Sequence, residues 1–217
     1  EIVRLAKGEL VARMDADDAM HPLRLEKQVG FLQANPELDG VTTGAYLIDA
    51  EDRPIALLPG RQPSAQEVLA RGGFLHPSLL ARKSWFEAHP YSLDYPRAED
   101  RELFVRTFKT SRLHVLSEPL YFYRWFGVPR GKTLRIGYRS ERKVMWKYGP
   151  NLVGWGPSLR LIALSFGKEL LTWFLEWTHL EKGFQTRRAF QPLLEMDQRE
   201  ALRTLKVIRE TCVPGWD

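Results

Sequence analysis

Leu10-Val11-Ala12-Arg13-Met14-Asp15-Ala16-Asp17-Asp18, with Pro22 shortly after, is the stretch that decides how this 217-residue chain is read. The apolar run reads as a short strand, Leu10 to Met14, buried on both sides. It carries three carboxylates to its C-terminal end, where open α/β sheets bind ligands. Three like charges in four residues repel one another, so a cation is a natural occupant. A hard divalent ion, Mg²⁺ or Mn²⁺, takes oxygen ligands and keeps positions open for phosphates. The same acids also fit a plain helix start, where Asp is favoured. An EF-hand loop beginning at Asp15 needs a glycine where Met20 stands, although Glu26 falls at its twelfth position. An aspartyl-nucleophile phosphatase is weakened by Ala19 at the fifth position. A metal-diphosphate site of the Asp-x-Asp kind remains.

Outward from this segment the pattern is that of an α/β protein. Pro22 fits the first turn of a helix on which Leu25, Val29 and Leu32 recur, and Asn35-Pro36 stops it. Gly40 to Ala50 reads as a strand with Val41, Thr43, Ala45 and Leu47 on one face, followed by a turn into Ile55 to Leu58. Ser64 and Glu67 make a capping-box pair for a helix ending at Gly72-Gly73. Ser78 to Ala81 reads as a strand, followed by a helical turn around Trp85. Arg112 to Leu116 and Leu120 to Tyr123 read as two strands. Helical patterns dominate after Gly127-Val128-Pro129-Arg130-Gly131: Thr133 to Tyr148, Pro157 to about Glu181, and Asp197 to Thr211, the last with Asp197 and Glu200 as a capping box. Ile136 and Val144 are expected on the packed side of the first of these helices.

Glu99-Asp100 is a second acidic site, at the start of a helix whose buried stripe is Leu103, Phe104 and Phe108. It is either a pair of first-turn acids complementing the helix dipole or a general base within reach of an attacking hydroxyl.

Four segments in order carry a resemblance. Arg13-Met14-Asp15-Ala16-Asp17-Asp18 with Pro22, Arg24 and Gln28 resembles the metal-binding segment of family 2 glycosyltransferases. Phe74-Leu75-His76-Pro77-Ser78 is similar to the family's His-Pro-Ser strand entry. Ala98-Glu99-Asp100 with Leu103 and Arg106 resembles its catalytic helix, and Tyr123-Arg124 the pair that closes its catalytic domain. The resemblance covers about residues 1–150. It implies an α/β fold: a partial GT-A-like, Rossmann-related mixed sheet with a C-terminal helical appendage. It further implies a metal held by Asp17, with Asp15 and Asp18 near the nucleotide ribose or donor sugar. Asp100 is implied as the base, Glu99 as an orienting group, His76 as lining the cleft (or a structural histidine), and Arg124 as offsetting diphosphate charge (or a surface ion pair). The expected activity is inverting, metal-dependent transfer from a nucleoside-diphosphate sugar to a saccharide or lipid-linked hydroxyl acceptor, in surface polysaccharide or glycoconjugate synthesis.

Family members begin with a nucleotide-binding half that has no counterpart before Glu1. The chain also opens without Met, inside what reads as a helix end closed by Gly8. The expectation is a piece of a longer protein: residues 1–127 the metal and acceptor half, residues 128–217 a basic helical region. An apolar sheet edge is expected where the missing half packs.

Charge follows the same division. Residues 1–127 hold 16 Lys/Arg against 18 Asp/Glu, and residues 128–217 hold 16 against 9. The second part suits phosphate, anionic lipid or nucleic acid equally well as a solvated surface. Arg135, Arg139, Arg142 and Lys143 would share its first helix. No nucleic-acid motif accompanies the charge, so nucleic acid is not an expected partner. The single cysteine, Cys212, excludes an intrachain disulfide and suits a reducing compartment, so a cytoplasmic site peripheral to the inner face of the membrane is expected. Charged residues interrupt Leu159 to Trp177, which reads as a packed or interfacial helix rather than a span. The competing function class is a non-catalytic interaction or membrane-surface module.

Overall fold

The computed structural model describes residues 2–127, 131–178 and 192–211. The strands are β1 (Leu10–Ala12), β2 (Ala19–Met20), β3 (Gly40–Ile48), β4 (Pro54–Leu58), β5 (Leu80–Arg82) and β6 (Leu113–Arg124). The helices are α1 (Ile2–Leu5), α2 (Arg24–Ala34), α3 (Ala65–Arg71), α4 (Lys83–Ala88), α5 (Glu99–Thr107), α6 (Gly131–Val153), α7 (Trp155–Trp177) and α8 (Glu195–Glu210), with a 3₁₀ turn at His76–Ser78. Cys212, the Val128-Pro129-Arg130 junction and the helix end expected at Glu181 lie outside the described residues.

The sheet runs β1-β5-β3-β6-β2, with β4 on β3. Only β3 and β6 pair in parallel; the other ladders are antiparallel. Every residue of β3 is buried, so the one-faced alternation expected from Val41, Thr43, Ala45 and Leu47 does not hold. The reason is position: β3 has strands on both sides and helices over both faces. Leu32 of α2 packs with Val41 and Leu80 on one face. Leu79 and Ala81 face the other way, into a core shared with Leu69 of α3, Leu103 and Phe104 of α5, and Val144 and Met145 of α6. Each fully buried Leu or Phe contributes about 1.5–3 kcal/mol of transfer free energy. Ala201 and Leu205 of α8 close over Tyr46, Ile48 and Phe122.

Several local expectations need correction. The strand before the acids spans only Leu10–Ala12, pairs only with β5 among the described residues, and is half-buried or exposed rather than buried on both sides. Among the described residues it is an edge strand. Pro22 precedes α2, because Ala19 and Met20 first form β2 against Tyr121 and Phe122. The stripe that α2 buries is Arg24, Gln28 and Leu32, while Leu25 is exposed. Residues 113–124 form one strand, not two. Thr43 pairs with Leu116 and Ala45 with Tyr121, so the segment around Pro119, which has no N–H to donate, bulges out of the ladder. Gly44 sits at this bulge, where a Cβ would come within 2.7 Å of Gly60 N. The Ser64–Glu67 capping box is formed. The one expected at Asp197 and Glu200 is not, since the helix starts earlier and Leu194 occupies its N-cap. On α6, Val144 is buried as expected, but Ile136 is 39% exposed.

Candidate active site

The acidic turn is held by its main chain. Arg24, fully buried on α2, donates from Nη2 to the carbonyl of Arg13 (2.8 Å) and toward that of Pro77 (3.4 Å), and from Nε to Gln28 Oε1 (2.9 Å). Gln28 in turn donates to the carbonyls of Ser78 (2.8 Å) and Val41 (3.0 Å). Two polar side chains one helical turn apart therefore lock the acidic turn, the His-Pro-Ser turn and the central strand together. Burial without a carboxylate partner holds the Arg24 guanidinium down to about 10. It also stacks over the Tyr121 ring, 5.0 Å from the centroid.

Tyr121, on β6, grips the turn from the other side. Its hydroxyl accepts from Asp15 N (3.1 Å) and donates to Asp18 Oδ2 (2.8 Å). Asp18 Oδ1 accepts from Arg124 N (2.7 Å). Burial raises the Asp18 carboxyl, the two hydrogen bonds oppose this, and the neighbouring charges of Asp17 and Asp15 add to it. Arg124 donates from Nε to the Asp17 carbonyl and from Nη1 to the Asp49 carbonyl (both 2.7 Å), and pairs with Asp52 through Nη2. Asp52 also takes Arg209 of α8 at 2.6 Å. As placed, Asp18 and Arg124 shape the turn, with the Arg124 charge lying beside it.

Asp17 is exposed, and no hydrogen bond engages its carboxylate among the described residues. Asp15 is half-exposed and pairs with Arg13 at 2.8 Å. Among the described residues, no three His, Cys, Asp or Glu side chains converge as a ready-made metal cage. One free carboxylate on an exposed turn nevertheless fits Mg²⁺ or Mn²⁺, which take few protein ligands when substrate phosphates supply the rest.

Two aromatic groups feel charges from the two acidic sites. His76 Nε2 and the Tyr91 hydroxyl share a 2.7 Å hydrogen bond. The His76 ring packs edge-on against Phe104 of α5, centroids 5.7 Å apart. Burial, helped by the nearby Arg13 charge and opposed by Asp15, holds His76 down to about 3, so the ring is neutral. Burial pushes the Tyr91 hydroxyl up to about 12; Arg13 opposes this, and the charges of Asp100 and Glu99 reinforce it. The charges of Arg13 and Asp15 act on His76, and those of Arg13, Asp100 and Glu99 act on Tyr91. Asp100, half-buried in the first turn of α5, accepts from Arg101 N through Oδ1 (2.7 Å). Glu99 beside it is exposed.

Arg13, Arg24, Gln28, Tyr91 and Tyr121 carry this geometry; the sequence reading named Arg13, Arg24 and Gln28 only as members of the acidic motif, and Tyr91 and Tyr121 not at all. One signal was available: Arg24, Gln28 and Leu32 recur every four residues, as a buried stripe does.

Comparison with known proteins gives these similarities. Residues 1–93 match the profile of the family described as Glycosyl transferase family 2. The O-antigen biosynthesis glycosyltransferase WbnJ of Escherichia coli is 32% identical over 127 residues, covering 56% of this chain and 50% of WbnJ. The uncharacterized glycosyltransferase MJ1057 of Methanocaldococcus jannaschii is 24% identical, covering 56% and 44%. The chain spans about half the length of these curated relatives. Solved structures that resemble it include residues 1–349 of TarS from S. aureus in complex with UDP (TM-score 0.48, 14% identity, 76% of this chain and 48% of that one). Another is the mannosyltransferase PcManGT from Pyrobaculum calidifontis with GDP-Man and Mn²⁺ (TM-score 0.45, 14% identity, 95% and 62%).

Proposed function

We propose that this chain supplies the metal and acceptor side of an inverting glycosyltransferase that moves a sugar from a nucleoside diphosphate to a hydroxyl acceptor. The supporting observation is that Asp15 of the acidic turn acts electrostatically on His76, while Glu99 and Asp100 act on Tyr91, its hydrogen-bond partner. The metal would be held by Asp17, and when bound it supplies charge stabilisation for the departing diphosphate. Asp15, kept in place by Arg13, faces the donor. Asp100 takes the acceptor hydroxyl proton on its carboxylate. The acceptor oxygen bonds to the anomeric carbon as the bond to the diphosphate oxygen breaks, and attack from the opposite face inverts the centre. Glu99 orients the acceptor. His76 and Tyr91 offer neutral polar groups between donor and acceptor. Arg124 adds positive charge beside the turn while fixing the Asp17 carbonyl.

Within this reading, residues 1–127 carry the chemistry, and residues 128–217 form the basic helical region, anchored through α6 and α8. The role of the relative WbnJ supports surface polysaccharide synthesis as the setting, with a saccharide or lipid-linked acceptor. The lone cysteine supports a cytoplasmic location. The test is calorimetric titration of a panel of nucleoside-diphosphate sugars with Mn²⁺, paired with a turnover assay. Asp17→Asn is expected to lose metal-dependent donor binding. Asp100→Asn is expected to keep binding and lose turnover. Equal donor binding by the unsubstituted protein with and without Mn²⁺ counts against the reading.

A further inference from the structure

Helix α7 is turned inside out. Ser158, Ser165, Glu169, Thr172 and Glu176 recur along one side, and Ser158, Ser165 and Glu169 are buried. This polar side faces α6. Arg142 pairs with Glu169, Arg139 reaches the same carboxylate at 3.5 Å, and Arg135 pairs with Glu176. The adjoining arc carries Leu159, Phe166, Leu170, Trp173 and Trp177, all exposed, with Arg142 over the Phe166 ring and Arg135 over the Trp173 ring at its inner border; Leu170 is 69% and Trp177 78% accessible. Trp155 continues the arc and meets the exposed Trp146 of α6 edge-on, centroids 5.8 Å apart. An ordinary surface helix buries its apolar stripe and exposes its polar one. So contiguous an apolar surface marks an interaction site.

The charges say what covers it. The α6–α7 hairpin, residues 131–178, holds eight Lys/Arg and only three carboxylates. All three carboxylates are paired: Glu169 and Glu176 in the seam, Glu141 with Arg101 of α5 at 2.9 Å. Lys132, Lys143, Arg160 and Lys168 are exposed, and no ion pair engages them among the described residues. Arg160 and Lys168 border a shallow hollow of about 490 Å³ floored by Ala163, Leu164, Gly167 and Leu171. An apolar arc with tryptophans toward both ends and a rim of unpaired cations matches the boundary between acyl chains and anionic headgroups. None of the described helices is long and apolar enough to cross a membrane, so the helix lies along the surface rather than through it.

We propose that the outward face of α7 docks on an anionic lipid bilayer, with its long axis in the membrane plane. The basic residues expected to make such a contact, Arg135, Arg139 and Arg142, instead hold α7 in the orientation that presents its apolar side. The proposal stands independently of the catalytic reading.

The test is flotation of the full chain with vesicles of phosphatidylcholine plus phosphatidylglycerol, against phosphatidylcholine alone. The expected result is flotation with the anionic vesicles, weakened by salt. Leu170→Glu with Trp177→Glu is expected to weaken it at least about tenfold, since each removes a buried apolar side chain from the contact. Both positions are exposed, so circular dichroism and the unfolding midpoint should stay unchanged. Lys143→Glu with Lys168→Glu, which leaves the apolar arc intact, should weaken anionic binding alone. Absence of flotation at low salt overturns the proposal, as does binding indifferent to Leu170→Glu with Trp177→Glu. A concentration-dependent dimer in sedimentation, broken by Leu170→Glu, overturns it in favour of a second copy of this chain.

Discussion

The Tyr121 hydroxyl and the Asp18 carboxylate are hydrogen-bonded at 2.8 Å across the width of the acidic turn, from strand β6 to a residue 103 positions earlier. The same hydroxyl takes the Asp15 N–H. One oxygen atom therefore sets the distance between the two ends of the turn.

Tyr121→Phe tests this. The ring stays, so its packing under Arg24 is kept, but a half-buried carboxylate and an N–H lose their partner. The expected cost is about 1–3 kcal/mol in urea unfolding. Donor binding should weaken with it, because Asp15 and Asp17 are then held by fewer contacts.

Arg24→Met should be more damaging than any change at an exposed arginine such as Arg53. It leaves the Arg13 carbonyl and Gln28 Oε1 without their donor, at a cost of about 2–4 kcal/mol. Gln28→Met acts on the same network, so the double variant should lose less than the sum of the two. Additive losses in denaturant melts would show that the two side chains act separately.

For Asp17→Asn the expectation is opposite in sign. Its carboxylate is exposed beside Asp15 and Asp18, so removing the charge relieves repulsion. Stability without metal should be unchanged or slightly raised. A clear drop in the unfolding midpoint would show that Asp17 holds the turn through its side chain.

His76 gives a pH signature. Its folded value is about 3 against an ordinary 6.5, so between these the unfolded chain binds more protons. The stability it contributes is present above about pH 6.5 and is lost as pH falls toward 3. In His76→Gln the slope of stability against pH between about pH 5 and 6.5 should fall by up to about one proton. His21, also lowered by burial, contributes to both proteins alike.

Much of this architecture was legible because it rests on local chemistry. Asn35-Pro36, the Ser64–Glu67 box and the Glu51 to Pro54 turn each act within a few residues, and each stands where expected. What was not legible depends on neighbours distant in sequence. β1 reads as a doubly buried strand from its apolar run, but burial depends on which strands flank it. Residues 112–123 read as two strands because Pro119 interrupts the pattern, yet pairing with β3 on both sides of the bulge makes them one. The acidic residues were visible as a cluster. Their supports were not, because Arg24 and Tyr121 matter through contacts to residues 11 and 106 positions away. The apolar character of Leu159 to Trp177 was visible too, but it cannot say which side faces in; the carboxylates of Glu169 and Glu176 decide that.

Apart from those on the Asp18 carboxylate, these grips on the acidic turn fall on main-chain atoms: Arg24 on the Arg13 carbonyl, Tyr121 on the Asp15 N–H, Arg124 on the Asp17 carbonyl. Peptide groups are the same whatever residue carries them. The loop is thus mounted like a replaceable tip on a fixed holder, and Met14 and Ala16, both exposed, can be exchanged without loosening the mount. Sequence change can therefore accumulate at these two positions at little cost to folding, and a library randomised there should keep most of its members folded.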